Sequence, residues 1–460
     1  MKLDELMEHV EYVKYKVDTI KVVLKSETIE ITPTFVSEVL LEYDYDNLYT
    51  PVLTLSLALT QTEYKKITLE KDTVKFILKI NKMFYDNQRK LLYYKTFINK
   101  TFCTHIKDET PMMEQDLVDM TKALNKTNED ESTPMELRDI YDFALFIEDY
   151  LDAGNKDINM AIKSGTITDI VAYVLRFAGL KKNVLMTPVN NKSKISNMIF
   201  PIMNTVECFN YLQEVRGIYN KGLLFFMDFN TIYFIDKSAY CSAWRPKEYK
   251  VTNIYIFSQK SDYNTVIGEM IDEEAEENNV FTNTEATDIA NKSLLNNAIY
   301  GNKTVLINAK SGSTSYIDSK LKQRGDSQTN IAIQKNTNKY AVKSQKLKMT
   351  ENEYDVTLIL KDVDLEILTP NKCFKLIFQN TKLNDTYGGT YRISKCLTTF
   401  TKMGDELNPS TICEFKKQND KSNEFGGEDR FDDWNDYESP DLFMTNESYT
   451  EPEITDNIID

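Results

Sequence analysis

Residues Asn197–Ser238 read NMIFPIMNTVECFNYLQEVRGIYNKGLLFFMDFNTIYFIDKS, and the expected fold is built outward from this stretch. Asn204 followed three residues later by Glu207 is a capping-box start, in which each side chain satisfies a backbone amide of the first turn. Val206, Phe209, Leu212 and Val215 recur three apart along one helix face, and Gly217 supplies the stop. Beyond it, Gly222–Asp228 and Thr231–Asp236 are short apolar strands. Asp228-Phe229-Asn230 gives the turn between them, because Asp and Asn bond their own backbone. A helix followed by a hairpin locks sheets together. The unit carries no catalytic signature.

Upstream, Phe35–Phe102 has a period of two. Phe35, Val39, Leu41, Tyr43 and Tyr45 share a face against Glu38, Glu42 and Asp44. Leu53, Leu55, Leu57 and Leu59 oppose Thr54, Ser56 and Thr60; a short helix over 61–69 follows. Val74, Phe76, Leu78 and Ile80 alternate with Thr73, Lys75 and Lys79, and a last strand covers 91–102. This predicts an antiparallel β domain with one wet face. From Pro111 to Gly217 the pattern reads as mainly helical. One helix takes Thr133 as cap, Pro134 in its first turn and Glu136 in the box, and buries Leu137, Ile140, Ala144, Ile147 and Leu151. A second starts at Thr166 with Asp169 and buries Ile167, Ile170, Val171, Val174 and Ala178 before Gly179; residues 186–196 read as an exposed polar loop.

Downstream come a polar loop with Trp244, a strand over 251–258 and an acidic run, Glu269–Glu277, read as a solvated face because its carboxylates have no metal-ligand grouping. A weak helix is expected over 284–298 and a polar insertion over 302–343. Period two returns over 354–416: Val356, Leu358 and Leu360, then Phe374, Leu376 and Phe378, a hairpin closed by Gly388-Gly389, and a last strand over 411–415. The expected fold is mixed α+β and multidomain: a β domain over 1–110, helices over 111–217, a hairpin and mixed segment over 218–345, a second β domain over 346–418 and a disordered acidic tail over 419–460.

The chain's 460 residues suit several cores, and its net charge of −16 is unevenly placed. Residues 421–460 hold 13 acids and 2 bases, leaving 58 and 53 in residues 1–420. A mildly acidic body argues against a general DNA-binding role, which wants a basic stripe. No window of 18 apolar residues suggests a membrane span. The chain begins MKLDE, with no secretory signal, and its six cysteines (Cys103, Cys208, Cys241, Cys373, Cys396, Cys413) lie far apart without a CxxC, so they read as buried free thiols of a reducing compartment.

The search for chemistry returns no catalytic, cofactor-binding or metal-ligating residue. His9 and His105 are the two histidines and lack zinc-ligand spacing. Cys103 and His105 would share a strand face, but a thiolate–imidazole dyad also needs an orienting group and an oxyanion site. Gly388-Gly389 and Gly426-Gly427 lack a phosphate-loop setting. Trp244 and 27 tyrosines suit interfaces.

Three places carry a family resemblance. They are the strand–short helix–strand order of 35–102, the opening helix–hairpin with GLLFFMDFNTIYFID, and DVDLEILTPNKCFKLIF followed by GGTYRISKCLTTFTKMGDELNPSTICEFKK. In this order the chain resembles the baseplate hub proteins of contractile phage tails, whose relatives include hub domains of type VI secretion spikes. The resemblance covers about half the chain and departs from it at the middle region, the 302–343 insertion and the acidic tail. It implies two tube-like antiparallel β-barrel domains per chain and a homotrimeric ring that adapts a sixfold tail tube to a threefold central spike. It also implies a virion tail-baseplate location after synthesis in the host cytoplasm, a DNA channel without specific binding, and contacts with tube, spike, tape measure and wedge proteins. The alternatives are another tail or neck adaptor, which needs only one tube-like domain, and a wall-degrading baseplate hydrolase, which needs paired carboxylates across a cleft or a zinc site.

Overall fold

Strands from both ends of the chain close one ring. The computed structural model describes residues 10–86, 88–104, 138–180, 183–219, 222–237, 251–257, 267–272, 277–283, 303–308, 314–318, 329–334, 355–417, 443–444 and 453–454. The alternating N-terminal pattern forms β1 (Tyr12–Val23), β2 (Thr28–Ile31), β3 (Val36–Asp44), β4 (Val52–Thr60), helix α1 (Gln61–Leu69), β5 (Lys75–Tyr85) and β6 (Leu91–Thr104). Then come β7 (Arg138–Ile147), α2 (Glu148–Asn155), β8 (Asp157–Gly165), α3 (Ile167–Phe177), β9 (Asn183–Met186), β10 (Ile195–Asn204), α4 (Thr205–Val215), β11 (Leu223–Met227) and β12 (Thr231–Asp236). The second half holds β13 (Val251–Ile256), β14 (Gly268–Asp272), β15 (Glu277–Thr282), β16 (Lys303–Asn308), β17 (Thr314–Asp318) and β18 (Thr329–Gln334). It ends with β19 (Asp355–Lys361), β20 (Phe374–Phe378), α5 (Thr381–Tyr387), β21 (Gly389–Met403), β22 (Glu406–Lys417), β23 (Phe443–Met444) and β24 (Glu453–Ile454).

The described residues are thus mostly β, with five α-helices. Strands β21-β3-β4-β7-β6-β5-β1-β22 hydrogen-bond in that order, each pair antiparallel, and β22 pairs back to β21. An eight-strand ring leaves an interior that side chains just fill, and here they do. Tyr15 of β1 meets Phe97 of β6 and Phe400 of β21 at centroid distances of 5.0 and 5.2 Å, and Phe76 of β5 meets Phe143 of β7 at 5.1 Å. One strand lies between the members of each pair, so the rings meet over it on the barrel's inner side. Leu53, Leu55, Leu57 and Leu59 are all buried, as their alternation predicts. A second run, β14-β15-β13-β20-β21-β22-β19, shares β21 and β22 with the ring; within it β13 lies parallel to both β15 and β20.

The helix–hairpin unit lies against this barrel. Its capping box forms as expected: Asn204 accepts from the Glu207 amide and Glu207 from the Asn204 amide. Phe229 at the hairpin tip packs on Phe97 and Phe102 of β6 and Tyr43 of β3, while Phe226 packs on Tyr43 and Tyr45. The buried helix face is rotated from the expected stripe, with Thr205, Cys208, Phe209, Leu212 and Gln213 inside and Val206 and Val215 half-buried. Gln213 is drawn in because its side chain serves the chain after the helix: Oε1 accepts from the Ile218 and Tyr219 amides and Nε2 donates to the Tyr219 carbonyl.

Several expectations are corrected. The helix proposed from Thr133 gives way, from Arg138 to Ile147, to β7, paired along β4; Thr133, Pro134 and Glu136 lie outside the described residues. Tyr141, Phe143, Leu145 and Ile147 form a bulkier period-two set than the Ile140, Ala144, Ile147 stripe, and Ile140 ends 62% exposed. Residues 138–217 alternate strands and helices where mainly helix was expected, although α3 has its Thr166–Asp169 box and all five expected buried residues. Thr187 and Asn191 in the proposed exposed loop are buried. β20 and β21 pair antiparallel as expected, but α5 and not a Gly388-Gly389 turn joins them. The acidic run is not wholly solvated: Glu269 is buried in β14. By contrast, the partly ordered, extended insertion expected over 302–343 agrees with the three-stranded sheet β17-β16-β18. In the acidic tail, Phe443–Met444 and Glu453–Ile454 are strands. Among the cysteines, Cys103, Cys208, Cys396 and Cys413 are free, whereas Cys373 is disulfide-bonded, which the spacing did not indicate. His9, His105, Trp244 and the helix proposed over 284–298 lie outside the described residues.

Candidate assembly surface

The β5–β6 hairpin is an arm with one side uncovered. The strands pair from Lys75 with Cys103 up to Tyr85 with Leu91, and Asp86 accepts from the Gln88 and Lys90 amides in the turn. On its other side β6 pairs with β7 only at Phe102, Cys103 and Thr104. Among the described residues, 91–101 therefore have no second strand neighbour. Four consecutive large side chains at the arm's end are exposed: Leu91 45%, Leu92 46%, Tyr93 48% and Tyr94 70%. Soluble proteins rarely leave a long apolar strand edge unprotected unless something pairs with it or covers it.

A buried ion cluster fixes the arm to the C-terminal half. Lys82 of β5 continues the apolar phase of Phe76, Leu78 and Ile80, and its side chain is only 2% exposed. Nζ donates to Asp364 Oδ2 and Glu366 Oε2, both at 2.6 Å, and Lys95 of β6 reaches the same Glu366 oxygen at 3.4 Å. Behind them, Glu269 Oε2 accepts from the Asp364 amide at 2.9 Å, and the Tyr15 hydroxyl accepts from the Leu365 amide at 3.0 Å. Burial, then Asp364, pushes Glu269 up; burial also raises Asp364 against the pull of Lys82. Burial alone would lower Lys82, but Asp364 and Glu366 outweigh it, so its pKa is raised. Further along the arm, Tyr85 donates to Glu406, and burial followed by that carboxylate pushes the phenol up to about 12.

Two half-buried acids pin neighbouring elements. Asp46 after β3 accepts from Arg392 Nη1 of β21 at 3.2 Å, Lys416 Nζ of β22 at 2.9 Å and Lys237 Nζ beyond the hairpin at 3.2 Å. Burial would raise its pKa, but the three cations hold it well below the usual carboxylate range. Asp228 at the hairpin turn is pushed up to about 6 by burial, against the opposing hydrogen bonds from the Phe229 amide and Tyr43.

These arrangements hold elements together and position no reacting group. Burial pushes the Cys103 thiol up and its Sγ donates to the Phe146 carbonyl, the reverse of an activated thiolate. A polar hollow on the barrel wall, lined by Ile77, Asn99, Lys100, Thr101, Ile147, Glu148 and Asp149, contains no nucleophile paired with a base. Among the described residues no His, Cys, Asp and Glu group has metal-site geometry, and no helix is long and apolar enough to cross a membrane. Sequence reasoning missed Lys82, Asp46, Asp228, Glu269 and Asp364. Only Lys82 left a signal, a lysine in phase with an apolar alternation.

In solved structures the chain is similar to a tail protein from Neisseria meningitidis MC58, with a TM-score of 0.51 at 8% identity over 89% of this chain and 97% of that one. It also aligns with a Francisella PdpA–VgrG complex (TM-score 0.48, 12% identity, 90% of this chain and 53% of that one). The 43 kDa tail protein of prophage MuSo2 from Shewanella oneidensis follows (TM-score 0.42, 9% identity, 86% and 97%). No curated protein matches in sequence. The resemblance read from the sequence is borne out at the level of fold: the chain has the fold of that tail protein. The family described as the bacteriophage PBS1 gene 109 protein matches residues 8–426, and the chain belongs to that family.

Proposed function

We propose that the protein is a structural hub of a phage tail baseplate, a homotrimeric ring joining the sixfold tail tube to the threefold central spike. The observation that carries this reading is the closed antiparallel ring together with the second strand run that shares β21 and β22. In the proposal that second run is the second tube-like domain. One end strand, β19, already approaches β15, the last but one at the other end, with the Thr282 hydroxyl donating to the Ile359 carbonyl at 3.0 Å. Two such modules per chain give three chains a pseudo-sixfold face. Domain limits near 110, 217, 345 and 418 belong to the same proposal.

Because aromatic rings fill the barrel, a DNA conduit would run between subunits and not through one. A mildly acidic wall would let DNA slide without gripping it. The uncovered β6 edge, with Leu91, Leu92, Tyr93 and Tyr94, suits contact with a second copy. In this reading the protein acts by assembly with tube and spike proteins, and with tape measure and wedge proteins beside them, and turns over no substrate. Electron-microscope projections of the purified protein with tube and spike partners test it. A threefold ring with six similar lobes is expected; single particles that never form a ring would overturn the reading.

A further inference from the structure

Two free cysteines face each other on the strands that the ring and the second run share. Cys396 of β21 is the register partner of Cys413 of β22, both are buried, and their sulfurs lie 3.8 Å apart. The class of this strand pair follows from Pro409, which stands opposite Phe400 and has no amide to donate. Phe400 and Pro409 are therefore a non-hydrogen-bonded pair. Stepping by two along the strands gives Thr398–Thr411 and then Cys396–Cys413 in the same class. The phase agrees with the threonines, whose hydroxyl oxygens are 3.0 Å apart. Opposed Cα atoms in such pairs are about 4.5 Å apart, where side chains are at their closest. That separation lies inside the range a disulfide spans, about 4.4–6.8 Å. Cys103 stands opposite Lys75 and Phe146, and Cys208 lies in α4, so neither has a cysteine facing it.

We propose that Cys396 and Cys413 are an oxidation site, where a small peroxide joins them into a cross-strand disulfide that locks β21 to β22. One sulfur attacks the peroxide, breaks its O–O bond and becomes a sulfenic acid as water leaves. The other sulfur then displaces the sulfenic hydroxyl as a second water and forms the S–S bond. The thiols lose two electrons, the peroxide gains them, and both thiol protons end in water. Burial holds the Cys396 thiol well above its ordinary pKa, so its thiolate is scarce and the step is slow near neutral pH. The place matters because β21 also holds β3 and β20, while β22 also holds β1 and β19. Parting β21 from β22 opens the ring and splits the second run, and a covalent tie opposes both. The chemistry rests on the strand register alone. Its occasion rests on the tail reading, in which the chain leaves a reducing cell interior for an oxidising medium.

Peptide mapping of the full chain after hydrogen peroxide treatment, digested with trypsin without reduction, tests this. Cleavage after Lys395, Lys402 and Lys416 places the cysteines in separate peptides, 396–402 and 403–416. These should be recovered joined, with the loss of two hydrogens. Recovery of the two unlinked, or of either linked to the Cys103 or Cys208 peptide, would overturn the proposal. The change in melting that peroxide causes should exceed that in Cys413→Ala by about 5 °C, a comparison that cancels methionine oxidation. Cys396→Ala serves as a second control, and the peptide assay needs neither variant. A joined pair with no difference in melting from both controls would overturn the lock.

Discussion

Lys82→Met removes one nitrogen's worth of charge and leaves the stem, so it isolates what the buried ion cluster does. In the parent, Nζ sits 2.6 Å from Asp364 and Glu366 with its side chain 2% exposed. Without it, Asp364 stays buried beside Glu269 and Glu366 with no cation bonded to it among the described residues, since Lys95 reaches only Glu366. Breaking a buried pair by deleting one partner costs about 3–5 kcal/mol, since the remaining charge is uncompensated. At about 2 °C per kcal/mol for a unit of this size, melting should fall by about 6–10 °C near neutral pH. Glu269 and Asp364 have folded pKa values above their unfolded ones. Their contribution is therefore full below the unfolded carboxylate range and lost as pH rises through the folded values. Losing Lys82 raises both further, so the deficit should be larger near pH 8 than near pH 5. Adding Asp364→Asn, which removes the stranded charge, should return part of the loss. Thermal melts of the three chains at both pH values decide. A deficit under about 1 kcal/mol, or one equal at the two pH values, refutes the cluster as described.

Further changes probe other parts of the fold. Phe229→Ala empties the hairpin tip's seat against Phe97, Phe102 and Tyr43 and should cost about 3–5 kcal/mol in denaturant unfolding; a near-neutral result would mean that the hairpin tip does not pack on the barrel. Leu55→Ala and Leu358→Ala, both fully buried, should each cost about 2–5 kcal/mol, whereas Thr357→Ala, on the other face of β19, should cost much less. Equal losses on both faces would break the assigned register. Tyr94→Asp, at a 70% exposed position, should leave melting within about 0.5 kcal/mol of the parent yet reduce self-association seen by light scattering. Unaltered association would remove the β6 arm from the interface.

Much of the barrel was legible because its strands alternate strictly. Leu53–Leu59, Phe76–Ile80 and Val356–Leu360 have the assigned faces inside, and a period of two has few competing explanations. Caps at Thr166 and Asn204 were equally readable, since both members of each box lie three residues apart. The segment 138–147 was not, because Ile140, Ala144 and Ile147 also fit a helix; pairing with β4, about 80 residues earlier in sequence, decides it. The ring's closure by β21 and β22 depends on contacts between chain ends, which local pattern does not record. For the same reason the ion clusters were invisible: Lys82 meets Asp364 and Asp46 meets Arg392 across hundreds of residues. Only the in-phase Lys82 hinted that a charge was buried.

The most direct test of the hub reading is the mass of the purified protein in solution, alone and with tube and spike proteins present. The account predicts a trimer of the 53.4 kDa chain, held by an interface of at least about 2,000 Å² and persisting on dilution. A chain that remains monomeric at every concentration, with both partners present, would contradict it.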